Sequence, residues 1–118
     1  MLAFKGGVRL KRLSKALIHI IHGIEHVYVY SLTGVPKVLT ITSINDSKHS
    51  INSKHYTNKA LDLRSKNFST PADKKKFRRI LEIYLNREYE KPRFRVLLES
   101  LGKPNEHFHI QVKKGETF

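Results

Sequence analysis

Residues 53–62 read SKHYTNKALD, and residues 106–109, far along the chain, read EHFH. Together they hold His55, Asp62 and His109, three side chains that can each offer a lone pair to a metal, and Glu106 stands three residues before the last of them. The 118 residues include no cysteine, which excludes disulfides and thiolate metal sites and leaves imidazole and carboxylate as the available ligands. Asp62 follows His55 by seven residues, a spacing that suits a loop running into a strand rather than two ligands one helical turn apart. Two neutral nitrogens and one carboxylate would leave a zinc ion with net positive charge and a fourth position for water. Glu106 is then placed to act as a general base and His107 to assist an oxyanion, with Glu99 the next acidic candidate. Each histidine also has a plainer reading as a satisfied or exposed polar residue.

Working outward, the pattern predicts an α+β fold in which a small antiparallel sheet carries the site and two main helices pack against it. Before the first stretch, 37–42 (KVLTIT) alternates as a strand, and the polar run 43–53 indicates a long loop delivering His55. After it, 60–63 reads as a short strand. In 108–113, Phe108, Ile110 and Val112 share one face, while His107, His109 and Gln111 share the other. Residues 94–99 form its partner strand, joined through a 100–105 connection with Gly102 and Pro104. The clearest helix is 71–87: Thr70 caps it, Pro71 takes the first position, Asp73 lies in the first turn, and Phe77, Ile80, Leu81, Tyr84 and Leu85 make its apolar stripe. Its basic run, Lys74, Lys75, Lys76, Arg78 and Arg79, reads as an outward face. A second helix is expected over 9–25 from the spacing of Leu10, Leu13, Leu17, Ile20, Ile21 and Ile24, followed by a weak strand at 27–31 and a turn at 33–36. His22 and His26 lie one helical turn apart, without an acidic companion at ligand spacing.

Twenty-three Lys and Arg against ten Asp and Glu give a net charge of +13. A field of that sign gathers polyanions: nucleic acid, anionic cell-wall polymers or an acidic membrane face. No zinc-finger, RNP or KH-like pattern accompanies the charge, and aromatic residues are not interleaved with the basic runs, so nucleic acid is the less favoured partner. No apolar run suits a secretory signal or a membrane span. Cytoplasmic synthesis without a signal peptide is therefore expected, as is a single domain over 1–118.

The first stretch resembles the SxHxxGxAxD signature of the D-alanyl-D-alanine carboxypeptidases and L-alanyl-D-glutamate endopeptidases of phages, which share a zinc fold with lysostaphin and hedgehog proteins. EHFH is similar to the family's second signature, an acidic residue three positions before a ligand histidine. Asn58 stands at the family's glycine, and Asp46 near where many relatives carry arginine. The resemblance implies that His55, Asp62 and His109 bind Zn2+, that Glu106 is the base, and that Ser53, His49 and Tyr56 contact substrate. The implied activity is zinc-dependent cleavage of an amide bond in peptidoglycan stem peptides, by an endolysin-like enzyme released at host lysis or carried in the virion. A non-catalytic cell-wall-binding relative and a basic nucleic-acid-binding protein are the alternatives.

Overall fold

A computed structural model describes residues 1–8, 14–29, 34–44 and 59–113. In chain order the elements are β1 (Leu2–Phe4), α1 (Lys15–Val29), β2 (Leu39–Ile44), β3 (Ala60–Arg64), α2 (Pro71–Asn86), β4 (Phe94–Glu99) and β5 (His107–Val112). The strands form one sheet in the order β1-β2-β3-β5-β4. The α+β class holds, but the sheet is mixed rather than antiparallel. Strand β1 runs parallel to β2, with Leu2 opposite Leu39 and Phe4 opposite Ile41, and α1 lies between the two in sequence as their crossover. Three residues carry no periodic signal. Backbone bonds define β1 instead, from Leu39 N–H to the Met1 carbonyl and from Lys5 N–H to the Ile41 carbonyl, both 2.8 Å.

Helix α1 starts at Lys15 and continues to Val29, so the part of the expected 27–31 strand that is described is helical. Ser14 sets the start: its Oγ accepts the Leu17 N–H at 3.2 Å and its carbonyl the Ile18 N–H at 3.1 Å. Leu17, Ile20, Ile24 and Val27 then fall on one buried stripe. Burial along that stripe outweighs the strand preference of a β-branched valine. At the crossing with α2, a Cβ on Gly23 would lie 2.5 Å from Leu85 Cδ2, so the helices approach through the missing side chain. Helix α2 follows expectation closely, with Thr70 Oγ1 accepting the Asp73 N–H at 3.1 Å and donating to the Asp73 carboxylate at 2.8 Å.

Both helices contribute to the core on one face of the sheet, where Leu61, Leu63, Phe94, Val96, Phe108 and Ile110 are buried. Phe68, Phe77 and Phe108 meet there with ring centroids 5.1, 5.2 and 5.3 Å apart. Alternation places Asp62, His107, His109 and Gln111 on the other face, and all four are partly exposed. The outer edge of β4 is closed by side chains of α2. Asn86 bonds the Phe94 N–H and carbonyl at 2.9 and 3.0 Å, Glu82 takes the Val96 N–H at 2.8 Å, and Arg78 donates to the Val96 carbonyl at 3.0 Å. Arg78 is thus an internal fastener, whereas Lys75, Lys76 and Arg79 do face outward. Among the described residues no helix is long and apolar enough to cross a membrane.

Candidate metal centre

Strands β3 and β5 place Asp62 directly opposite His109, and His107 one alternation further along β5. A β-bulge in β2 completes the neighbourhood. Ile41 faces Leu63 and Ile44 faces Leu61, so Thr42 and Ser43 together span the single residue Asp62. The extra residue lets the Ser43 hydroxyl donate to Asp62 Oδ2 at 2.9 Å. β2 therefore extends two residues into the segment expected as loop, and the first of them, Ser43, holds the site's carboxylate.

The other oxygen, Asp62 Oδ1, lies 2.7 Å from His109 Nδ1 and 3.9 Å from His107 Nε2. His109 Nε2 sits 2.8 Å from Gln111 Oε1, so this ring has an oxygen at each nitrogen. The bond to Asp62 raises its pKa, burial partly opposes that, and the Gln111 bond adds to the rise. For Asp62, burial pushes the carboxyl up, but the bonds from His109 and Ser43 and the charges of both histidines prevail and hold it below its ordinary value. His107 donates Nδ1–H to the Asn105 carbonyl at 2.6 Å. That bond leaves Nε2 beside two carboxylates, Asp62 and also Glu99, whose Oε2 is 4.0 Å away across the β4–β5 pair. A histidine anchored by a backbone carbonyl at one nitrogen and open at the other is the usual arrangement around a bound metal.

Ligand atoms of Asp62, His107 and His109 all lie within 4.8 Å of one another, and the group can hold a metal ion. Two imidazoles and a carboxylate, with Ser43, Gln111 and Asn105 orienting them from outside, are a donor set that suits zinc and other borderline divalent ions. Of the expected ligands, Asp62 and His109 are brought together. His55 lies outside the described residues, as do Ser53, His49 and Tyr56 and the positions of Asn58 and Asp46. His107, expected to assist an oxyanion, stands within the ligand group itself.

Glu106 occupies a different place from its neighbours. It shares parity with the core-facing Phe108 and Ile110, so it turns toward the helices and is buried. Lys74 Nζ approaches its carboxylate at 2.8 Å, Ser65 Oγ donates at 2.5 Å and the Gly102 N–H at 3.0 Å. Burial pushes this carboxyl up, but the Gly102, Lys74 and Ser65 donors overcome it and bring the pKa down to about 2. A carboxylate so stabilised is a weak proton acceptor near neutrality. The expectation of Glu106 as the base followed its spacing from His109, whereas its parity with Phe108 sets it on the face opposite the ligand histidines. Lys74, read as surface, is the internal counter-charge.

Two histidines of α1, His19 and His26, serve packing, and His22 is exposed. His19 donates Nε2–H to the Leu85 carbonyl, 3.0 Å away, and stacks on Phe94, while His26 stacks on Tyr84 with centroids 4.2 Å apart. Compared with known proteins, the chain matches no family model, no curated protein and no solved structure.

Proposed function

We propose that the protein is a zinc-dependent hydrolase that cuts an amide bond in the stem peptide of bacterial peptidoglycan, with the resemblance to the phage endopeptidases supplying the substrate. The observation that carries the reading is the convergence of Asp62, His107 and His109 on one open sheet face, oriented from behind by Ser43, Asn105 and Gln111. Asp62 and His109 would hold the ion, with His107 beside them and His55 the further ligand implied by the motif. Zinc there supplies a Lewis acid for the scissile carbonyl and for water. The chain's own contribution is proton handling and orientation. Glu99 is the acidic residue that faces the group, exposed and 4.0 Å from His107 Nε2, and it is the better placed to take a proton and return it to the leaving amine. Glu106, clamped by Lys74, Ser65 and Gly102, holds the β5 entrance against α2 and so fixes the histidines next to it. The nucleic-acid alternative is weakened by the use of Lys74 and Arg78 inside the fold, which breaks up the basic run on α2.

Bound zinc after exhaustive dialysis and the initial rate on a purified peptidoglycan fragment test this together. Asp62→Asn and His109→Ala should lose the metal. Glu99→Gln should keep it while the rate drops by roughly 10²–10⁴, the scale of a lost acid–base group. Zinc retained by the Asp62/His109 double variant would remove the ligand assignment, and a zinc-loaded parent that cleaves no stem peptide would remove the reading.

A further inference from the structure

The open face of the sheet carries two arginines besides the metal group. Arg64 ends β3 in the row of His107 and Glu99, and Arg95 lies on β4 in the row of Gln111 and Ala60. Alternation puts both on the face of Asp62 and His109, and both are exposed. Among the described residues neither has an acidic partner. Arg64 stands two rows beyond the Asp62–His109–Leu97 row and Arg95 two rows before it, on the strands either side of β5. The diagonal between them therefore passes over His109. Two strand spacings across and four residues along give about 17 Å between their Cα atoms. That is the length of roughly four or five residues of extended peptide, shortened by the reach of two flexible stems.

Charge tells what would lie along that diagonal. The two arginines balance Asp62 and Glu99, and a divalent ion in the metal group would turn the face net positive. No Phe, Tyr or Trp from β3, β4 or β5 stands on this face, so a nucleic-acid strand would find guanidinium groups and the two imidazoles of the metal group but no large aromatic platform for successive bases.

We propose that Arg64 and Arg95 are two anion-binding positions flanking the metal group, and that the substrate is an extended peptide carrying one carboxylate on each side of the bond that is cut. This rests on the hydrolase reading for the identity of the site and extends it to substrate selection. A guanidinium pairs with a carboxylate through two parallel hydrogen bonds, so each position fixes direction as well as charge. Two such anchors place the peptide across β5 and bring an intervening amide over His109.

Binding, measured apart from turnover, is the test. The probe is L-alanyl-γ-D-glutamyl-L-lysyl-D-alanine, with its two mono-amides and its diamide, titrated calorimetrically into the zinc-loaded protein carrying Glu99→Gln. Arg64→Gln and Arg95→Gln should each weaken binding of the diacid roughly 5–30-fold and leave the diamide unchanged, and each mono-amide should become insensitive to one of the two substitutions. Both side chains are exposed, so the variants should melt like the parent. Equal affinity for diacid and diamide, or variants that bind the diacid as the parent does, overturns the proposal. So does a single-stranded oligonucleotide that displaces the peptide and itself depends on both arginines. Arginine-dependent binding of the diacid by a parent that never cleaves it would sustain the two anion positions and remove the hydrolase reading instead.

Discussion

Asp62 joins the metal group to the rest of the sheet, with one oxygen fixed by Ser43 on β2 and the other directed at the histidines of β5. Glu106, the residue just before β5, makes the opposite commitment, toward the helices. Its depressed pKa is a stability statement. The folded protein binds the ionised form in preference, so Glu106 contributes fully above its ordinary value of 4.5, and the contribution fades as pH falls from there toward about 2. Urea unfolding of the parent should therefore lose roughly 1–3 kcal/mol between those limits that Glu106→Gln, already less stable near neutrality, does not lose. Lys74→Met should shrink the acid-dependent part by stranding the carboxylate. Parallel pH curves for parent and Glu106→Gln would show that the pair carries no such linkage. The two carboxylates also mark how far the site was legible from sequence. His109 and Asp62 could be named from residue type and spacing, and their direct pairing across β3 and β5 accords with that. The partners of Glu106 could not be read, because Ser65, Lys74 and Gly102 come from three separate segments. Nor could Ser43, whose position depends on a bulge that leaves no mark in the alternation.

At the scale of elements, α2 does two jobs: its apolar stripe fills the core, and its polar side chains close the β4 edge. Asn86 is the clearest case, since it bonds the Arg93 and Phe94 N–H groups and the Phe94 carbonyl at 2.8, 2.9 and 3.0 Å. Asn86→Ala should cost about 1–3 kcal/mol in chemical denaturation, because it leaves strand-edge groups without their partner. It should also raise the concentration-dependent association of the protein on heating, as the uncovered edge becomes a template for another strand. A variant with unchanged stability and unchanged light scattering would show that solvent replaces the asparagine without loss. The helices and the four longer strands were readable because each has a stripe or an alternation long enough to register. The exceptions have separate causes: β1 is too short to show a period and takes its place through backbone bonds to β2, and the C-terminal turns of α1 follow the buried stripe through Val27 against local preference. The parallel β1–β2 pair, which makes the sheet mixed, could be seen only once β1 was known.

For the whole molecule the governing quantity is the net charge of +13, and under the proposed hydrolase reading its effect would belong to encounter rather than to the chemical step. Part of the basic complement is consumed internally, by the Lys74–Glu106 pair and by Arg78 at the β4 edge, but Lys75, Lys76 and Arg79 remain on the outer side of α2. A cell wall bearing anionic polymers would feel that field over a distance set by the Debye length, which contracts from about 30 Å at 0.01 M salt to about 8 Å at 0.15 M. A short soluble peptide is held mainly by contacts within the site, where charges a few ångströms apart are screened much less. Turnover of intact walls is therefore expected to fall about tenfold or more across that salt range, while hydrolysis of the soluble tetrapeptide changes by about twofold or less. Replacing Lys75, Lys76 and Arg79 together by glutamine should flatten the wall curve and leave the peptide curve in place, since all three lie on the helix that packs against the core face of the sheet, away from Asp62 and His109. If both substrates show the same salt dependence in the parent, the charge acts at the site and wall attraction is removed as its role. If instead the protein binds single-stranded nucleic acid with a steep salt slope and cuts neither substrate, the polyanion it meets is a nucleic acid.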